Sequence, residues 1–198
     1  ENFFKYISAV EERVPLDFYS WHRYFTDPQV MLKEAGFARE LLEKYGYSDT
    51  ESIFDEWNYM RDWNDQFDSY PTIKNHVGAS YCAAVLCSMQ TKTDIDAAMY
   101  FEADVIKEWC GLFEVTHMAI ARQKAIVGPL KPFFSFKAFN ALYSAGNEID
   151  VCCSNEGLYA CAATSEKNCG MLLTNYGAEA DELHFSLSNL PNTNVELR

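Results

Sequence analysis

The chain has few basic residues and no long apolar run. Its 198 residues include 16 Lys and Arg against 29 Asp and Glu, which gives a formal net charge of −13 at pH 7. Nucleic acids and anionic membrane surfaces repel such a chain, so we expect neither as a partner and favour a neutral ligand. No apolar segment approaches the roughly 20 residues that span a bilayer, and the first residues lack the pattern of a signal peptide.

Motifs for phosphate, metal and disulfide chemistry are also missing. The nine glycines stand singly, and none of them forms a phosphate-binding glycine pattern. The seven cysteines are an odd number, without the spacing of a disulfide framework or a zinc site. We therefore predict no metal and no cofactor, and we expect buried, reduced thiols. Such thiols favour a reducing, cytoplasmic compartment, although no targeting signal is readable.

What the sequence does contain is two strand-length runs that end in polar and aromatic side chains. The first covers residues 16–20 and is followed by a Trp-His-Arg-Tyr cluster at residues 21–24. The second covers residues 52–56 and ends at Glu56. In parallel α/β folds the functional groups gather at the carboxyl ends of strands. We therefore interpret Glu56 as a catalytic carboxylate, with a salt-bridged surface glutamate as the ordinary alternative.

A helix is predicted between these two runs. Asp27 suits the N-cap, Pro28 suits the first helical position and Gly46 suits the exit from the helix. Apolar residues recur at three-and-four spacing and form one stripe, which consists of Met31, Leu32, Ala35, Ala38, Leu41, Leu42 and Tyr45. A helix of this length between two strands normally joins parallel neighbours.

The chain after the second run alternates loop, helix and strand. Residues 59–75 are polar and aromatic and are a candidate wall for a pocket. An apolar helical run over residues 77–89 follows, and then a buried strand near residues 97–101. Pro132 opens a last aromatic helix and Gly146 closes it.

Short β-runs separated by turn residues follow that helix. Their alternating apolar residues predict an antiparallel sheet or sandwich that packs on the first part of the chain. We place a boundary near residues 146–148, which gives domains 1–147 and 148–198. The runs cover residues 148–153, 158–164, 171–175 and 183–190.

Several blocks together resemble a known family. They are Asp17-Phe18-Tyr19-Ser20-Trp21-His22 with Tyr24, Asp55-Glu56-Trp57-Asn58, residues 98–103 with 109–113, and residues 131–140. In this order they are similar to the sixth, seventh and eighth strands and the final helix of glycoside hydrolase family 39, the β-xylosidase and α-L-iduronidase group. Residues 159–163 and 172–176 resemble the β-sandwich that follows the barrel in that family. The resemblance implies an α/β fold, the C-terminal part of a (β/α)8 TIM barrel followed by a β-sandwich-like domain.

The resemblance also implies roles for individual residues. Glu56 matches the nucleophile of a retaining glycosidase, and His22 and Tyr24 match residues that border the sugar and the nucleophile. Trp57 and Asn58 are further candidate substrate-binding residues. For Trp57, plain core packing is an equal alternative, and for His22 the alternative is a satisfied histidine at a strand end. An imidazole and a phenol beside a carboxylate can hydrogen-bond it and hold it ionised.

One part of the family pattern has no place in this sequence. The family's acid/base glutamate follows an Asn on the fourth strand, and the chain is expected to begin at about the sixth. Two later Asn-Glu pairs, at residues 147–148 and 155–156, lack the Pro that usually follows, so we interpret both as turn or strand-edge residues. A retaining site needs two carboxyl groups roughly 5–5.5 Å apart, and the second one is missing.

Two functions therefore stay open. The chain is either a segment of a retaining, β-xylosidase-like glycosidase that is inactive alone, or a non-catalytic carbohydrate-binding or self-associating module. A half-barrel exposes the edge of its first strand and an apolar face, which favours association with another chain. The sequence does not identify the sugar, which is a xyloside or a related glycoside.

Overall fold

A computed structural model describes residues 1–64, 66–103, 111–118, 123–179, 182–184, 186, 188 and 189. Strands and helices alternate in the first half of the chain, and antiparallel strands dominate the second. The helices are α1 (Asn2–Ser8), α2 (Pro28–Lys44), α3 (Tyr70–Lys74), α4 (His76–Lys92) and α5 (Lys131–Ala145), with one 3-10 turn at Gln66–Asp68. The strands are β1 (Phe18–Phe25), β2 (Glu51–Tyr59), β3 (Ala97–Tyr100), β4 (Phe113–Met118), β5 (Gln123–Pro129), β6 (Asn147–Ile149), β7 (Leu158–Thr164) and β8 (Cys169–Asn175).

The first three strands form a parallel sheet in the order β1-β2-β3. The predicted strands near residues 16–20, 52–56 and 97–101 are therefore confirmed in number, order and direction. The predicted ends of the first two strands are wrong, because β1 continues to Phe25 and β2 to Tyr59, whereas β3 ends at Tyr100, close to its predicted end. The aromatic residues beyond each predicted end favour extended backbone, so the polar cluster and Glu56 lie within the strands.

Helix α2 has the predicted caps. The Asp27 side chain accepts a hydrogen bond from the Gln29 backbone N–H at 2.9 Å, and Pro28 occupies the first turn. Gly46 follows the helix at a φ of 78°, which only glycine adopts without strain. The helix connects the parallel strands β1 and β2, as the sequence pattern predicts.

The main core lies between the parallel sheet and the helices that cover one of its faces. Residues of α2, β2, α3 and α4 fill it, and each buried large side chain contributes about 1.5–3 kcal/mol. The opposite face of the sheet is open in the described residues, and Phe18 and Met99 on it are 55% and 51% exposed to solvent. The buried set is Met31, Ala35, Phe54, Trp57, Tyr59, Ile73, Tyr81, Cys82, Val85, Leu86 and Met89.

A second sheet, β6-β7-β8, is antiparallel and packs on α4 and α5. Its Tyr159 and Cys161 share a buried cluster with Cys87 and Leu142 of those helices. The prediction of an antiparallel layer after the last helix is thus confirmed. The fourth predicted run, 183–190, lies partly outside the described residues, and its described residues are not in a strand.

The strands β4 and β5 form an antiparallel hairpin that the sequence pattern did not predict. Residues 104–110, which include part of a family-like block, lie outside the described residues. The α/β class is confirmed, whereas the C-terminal part of a (β/α)8 barrel and the β-sandwich-like domain stay predictions. Within the described ranges, no helix combines the length and apolarity needed to cross a bilayer.

The six described cysteines carry free thiols, but only half of them are buried as expected. Cys82, Cys87 and Cys161 lie in the core, whereas Cys152, Cys153 and Cys169 are exposed. The exposed ones belong to the short strands and turns of the second sheet, where one face meets solvent. Cys110 lies outside the described residues.

Candidate functional site

A β-bulge at Asp55 organises the site. Trp21 pairs with Phe54 and His22 pairs with Glu56, so β2 has one more residue than β1 between these pairs. The pairing of β2 with β3 shifts at the same place. An extra residue lets two consecutive side chains point to one face of a strand. Asp55 and Glu56 therefore both lie on the open face of the sheet.

The polar cluster of β1 divides between the two faces of the sheet. Trp21 and Arg23 lie on the covered face. The Trp21 ring stacks on Phe54 with a centroid distance of 4.1 Å, and Arg23 Nη1 lies 3.6 Å from Oε1 of Glu34 in α2. His22 and Tyr24 alternate with them and lie on the open face with Glu56. The strand period of two thus selects which members of the cluster reach the site.

Glu56 is held by a phenol and lies beside an imidazole. The Tyr24 hydroxyl donates a hydrogen bond to Glu56 Oε1 at 2.6 Å. Glu56 Oε2 lies 3.7 Å from His22 Nδ1, which is longer than a hydrogen bond. Tyr24 is 8% exposed, whereas the Glu56 side chain keeps 29% of its surface. The site therefore presents a carboxylate that Tyr24 holds through Oε1, while its second oxygen, Oε2, takes no part in that hydrogen bond.

Asp55 is a site residue that was not singled out in the sequence. Its Oδ1 lies 3.2 Å from His22 Nε2, so the imidazole lies between two carboxylates. The signal in the sequence is the pair Asp55-Glu56 itself, because a regular strand would place one of the two charges in the core. Asp55 reaches His22 from the same strand as Glu56, so it does not face Glu56 across a cleft.

Trp57 lies on the opposite side of the strand from Glu56. It is fully buried, with its ring 6.0 Å from Phe54 and 5.2 Å from Tyr100. A stacking platform for a sugar needs an exposed ring face, and Trp57 has none in this arrangement. Of its two possible roles, its surroundings support core packing rather than substrate binding.

Asn58 is 1% exposed, and its amide binds backbone. Its Nδ2 donates to the Phe101 carbonyl at 2.7 Å, and its Oδ1 accepts from the Tyr59 backbone N–H at 2.6 Å. The first bond ties the end of β2 to Phe101, the residue after β3, and the second fixes the amide against its own strand. This geometry supports a positioning role, and a direct contact with substrate stays a prediction.

The loop after β2 adds an aromatic residue to the site. Trp63 is 53% exposed, and its ring centroid lies 5.0 Å from that of Tyr24. The sequence identified residues 59–75 as a candidate pocket wall but did not single out Trp63. Strand β2 ends at Tyr59, and the Met60 backbone N–H donates to the Phe25 carbonyl at 3.2 Å, which brings the loop back to the end of β1.

A cleft of about 550 Å³ lies at the other end of the sheet, far from Glu56. Arg13, Asp17, Tyr47 and Glu51 are among its lining residues, and Glu51 begins β2. We place the candidate site at Glu56 because the carboxylate, phenol and imidazole converge there. In the described ranges, no group of three or more His, Cys, Asp or Glu side chains is arranged to hold a metal ion.

Comparisons with known proteins agree with this arrangement at the level of the fold. No family model and no curated protein matches the sequence. A glucosidase from Croceicoccus marinus is similar in structure, with a TM-score of 0.68 and 22% identity over 89% of this chain and 36% of its own. A GH39 β-xylosidase from Caulobacter crescentus has a TM-score of 0.57 and 18% identity over 86% of this chain and 34% of its own.

The chain spans about a third of the length of these two solved structures. The resemblance identified in the sequence is therefore confirmed for the fold. In fold, the chain is similar to the C-terminal part of a glycoside hydrolase family 39 protein.

Proposed function

We propose that the chain carries the nucleophile half of a retaining O-glycosidase of the β-xylosidase type. In this proposal residues 1–147 are about strands 6 to 8 of a (β/α)8 barrel, and residues 148–198 belong to a β-sandwich-like domain. The observation that carries it is the Glu56 carboxylate, which accepts a 2.6 Å hydrogen bond from Tyr24 on the open face of a parallel sheet. The glycosidase names of the two similar structures support it.

The chemistry requires one carboxylate to attack and one acid to protonate the leaving group. Tyr24 occupies Glu56 Oε1, so Oε2 is the oxygen that attacks the anomeric carbon. The new C–O bond makes a glycosyl ester as the old glycosidic C–O bond breaks, and the departing oxygen takes the electron pair. An acid on the other side of the sugar protonates that oxygen, and water later hydrolyses the ester.

A second candidate function is a non-catalytic carbohydrate-binding module. It is favoured by the position of Asp55, the neighbouring carboxylate, which shares His22 with Glu56 instead of facing it. Both functions predict binding of a xyloside or related glycoside to the open face. Only the first predicts a covalent bond to Glu56.

An activated fluorosugar separates the two functions. Incubation with 2,4-dinitrophenyl 2-deoxy-2-fluoro-β-D-xyloside should esterify the Glu56 carboxylate and release dinitrophenolate, a leaving group that needs no protonation. Intact mass and peptide mapping should locate one fluoroxylosyl group on Glu56. The Glu56→Gln variant should gain none, whereas Glu51→Gln, which removes an exposed carboxylate at the start of the same strand, should react like the native chain.

A native chain that binds a xyloside but gains no mass would support the binding module instead. A label on another residue would remove Glu56 from the role of nucleophile. With natural xylosides we expect no hydrolysis by this chain, because protonation of the leaving group is typically worth about 10²–10⁴-fold in rate. Dinitrophenyl xyloside should give at most a trace rate, measured as release of dinitrophenolate.

A further inference from the structure

Two buried thiols meet where helix α4 packs on the second sheet. Cys87 of α4 and Cys161 of β7 are 1% and 2% exposed and belong to one apolar cluster. Cys161 Sγ lies 3.5 Å from the Cys87 carbonyl oxygen, to which its thiol donates a weak hydrogen bond. The two thiols also hydrogen-bond each other, which raises the pKa of Cys87 and lowers the pKa of Cys161. The fold therefore brings together two sulfur atoms that are far apart in the sequence.

We propose that Cys87 and Cys161 are a modification site, at which a small peroxide closes a reversible disulfide between α4 and the second sheet. The inference is independent of the proposed function, because it involves neither Glu56 nor a sugar. The sulfur–sulfur distance in a disulfide is about 2.05 Å, so two sulfur atoms in hydrogen-bond contact need only a short further approach. The bond would join the helix that covers the parallel sheet to the antiparallel layer.

The reaction oxidises two thiols and reduces one peroxide. Cys161 reacts first, because the hydrogen bond from Cys87 favours its thiolate, and the thiolate is the nucleophile. Its sulfur attacks one peroxide oxygen, so an S–O bond forms, the O–O bond breaks, and a sulfenic acid and water result. The Cys87 sulfur then attacks the Cys161 sulfur, the S–O bond breaks, and the hydroxide leaves as a second water with the Cys87 proton. A dithiol reductant restores both thiols.

The other described cysteines have different surroundings. Cys82 lies on the same helix and is fully buried, but its hydrogen-bond neighbour is the hydroxyl of Ser135 and not a second thiol. The remaining described cysteines, Cys152, Cys153 and Cys169, are exposed and open to oxidants of any size. Hydrogen peroxide is about the size of a water molecule, whereas glutathione is a tripeptide, so burial of the pair favours the smaller oxidant.

The test is treatment of the folded 198-residue chain with hydrogen peroxide, after which the remaining thiols are blocked with N-ethylmaleimide in denaturant. Trypsin and chymotrypsin together release each thiol of the pair on its own peptide, through cleavage after Leu86, Tyr159 and Lys167. Tandem mass spectrometry should find the Cys87 and Cys161 peptides joined, with two hydrogen atoms fewer than the separate peptides. Dithiothreitol should separate them again.

Cys82→Ala is the matched control, because it removes a buried thiol of the same helix and should leave the crosslink unchanged. Cys87→Ala should give no peptide joined to Cys161 through a bond to α4, and circular dichroism checks that this variant is folded. The map of the native chain decides the question even if that variant does not fold.

The proposal is overturned if Cys87 and Cys161 are both recovered as maleimide adducts while peroxide oxidises the exposed cysteines. It is also overturned if the joined peptides form only when peroxide is added in urea, since proximity in the fold would then not be their cause. Sulfinic acid at Cys161 in the native chain, without a joined peptide, would likewise show that Cys87 does not resolve the sulfenic acid.

Discussion

At the scale of single residues, the hydroxyl of Tyr24 fixes the carboxylate of Glu56, the proposed nucleophile. It donates to Glu56 Oε1 from a position that is 8% exposed, so water competes poorly for this bond. A hydrogen bond to a charged group contributes about 1.5–3 kcal/mol, and the bond also selects one rotamer of Glu56. His22 Nδ1 lies 3.7 Å from Oε2, which is too far for a hydrogen bond.

The Tyr24→Phe variant should therefore label more slowly with the fluoroxyloside, by about tenfold or more, because Glu56 loses its orientation. The rate is measured by mass spectrometry over time. The control is Tyr47→Phe, which removes a buried hydroxyl bonded to the Val14 carbonyl at 3.0 Å near the opposite end of the sheet. It should label at the native rate. An unchanged rate in Tyr24→Phe would mean that the phenol does not position Glu56.

At the scale of elements, the turn between α3 and α4 depends on a glycine. A Cβ atom at Gly78 would lie 2.3 Å from the Ile73 carbonyl oxygen, and backbone cannot move aside cheaply. The N-cap of α4, Asn75, accepts from the backbone N–H of Val77 at 2.8 Å and of Gly78 at 3.4 Å, so the first turn is also fixed by its cap.

The Gly78→Ala variant should lower the free energy of unfolding by about 1–3 kcal/mol, as overpacked sites do. Gly36→Ala is its matched control, since that glycine also lies in a helix and a Cβ there would meet no atom within 4 Å. Removal of backbone freedom should make Gly36→Ala more stable by about 0.4–1 kcal/mol. Urea unfolding of both variants measures the difference, and equal effects would refute the packing argument.

The elements were predictable where one local rule decided them. Asp27, Pro28 and Gly46 bound α2 because capping and backbone freedom depend on neighbours in sequence. The bulge at Asp55 depends on how β2 pairs with β1 and β3. Those strands are distant in sequence, so the residues around Asp55 do not predict it. For the same reason the sequence suggested Trp57 as a site residue, whereas the loop residue Trp63 lies beside Tyr24.

At the scale of the whole molecule, one face of the parallel sheet is uncovered, and the outer edges of β1 and β3 pair with no strand among the described residues. Helix α1 does not extend the sheet, because its Phe4 and Ile7 pack with Leu41 and Leu42 of α2. Strand β1 pairs with β2 on one side. Open strand edges and exposed apolar faces favour association.

We expect the chain to self-associate through this surface, so size-exclusion chromatography with light scattering should give a mass above that of one copy. The double variant Phe18→Lys and Met99→Lys should shift the chain toward the monomer, because it places charges on the open face. The control is Phe37→Lys, at a residue of α2 that is 51% exposed. A monomeric native chain at high concentration would contradict the expectation.

Alkaline pH should weaken the contact between the second sheet and the first. The Tyr176 hydroxyl donates to the Thr26 carbonyl at 2.6 Å, and burial raises the pKa of this phenol to about 12. Burial also raises the pKa of Tyr81 well above its ordinary value. The folded chain thus holds these two phenol protons more tightly than the unfolded chain does. Their contribution to the free energy of unfolding is complete below pH about 10, the pKa of a tyrosine in the unfolded chain.

The free energy of unfolding should therefore fall as the pH rises from about 10 toward 12. Tyr176→Phe should be less stable at pH 7 by about 0.5–1.5 kcal/mol, through loss of one hydrogen bond. It should also lose less stability between pH 9 and 12 than the native chain does. Denaturation curves at each pH measure both effects, and parallel curves for the two proteins would rule out Tyr176 as a source of the alkaline loss.

The extra residue in β2 also bears on how such a site can change over time. Phe54 and Trp57 keep their places in the core on either side of the bulge, so a chain without Asp55 would have a regular alternation with Glu56 still on the open face. Asp55 is thus an addition to the strand rather than part of its frame. Insertion or deletion of a single codon at this point would add or remove a charge beside His22. All the remaining side chains of β2 would keep the face of the sheet on which they lie.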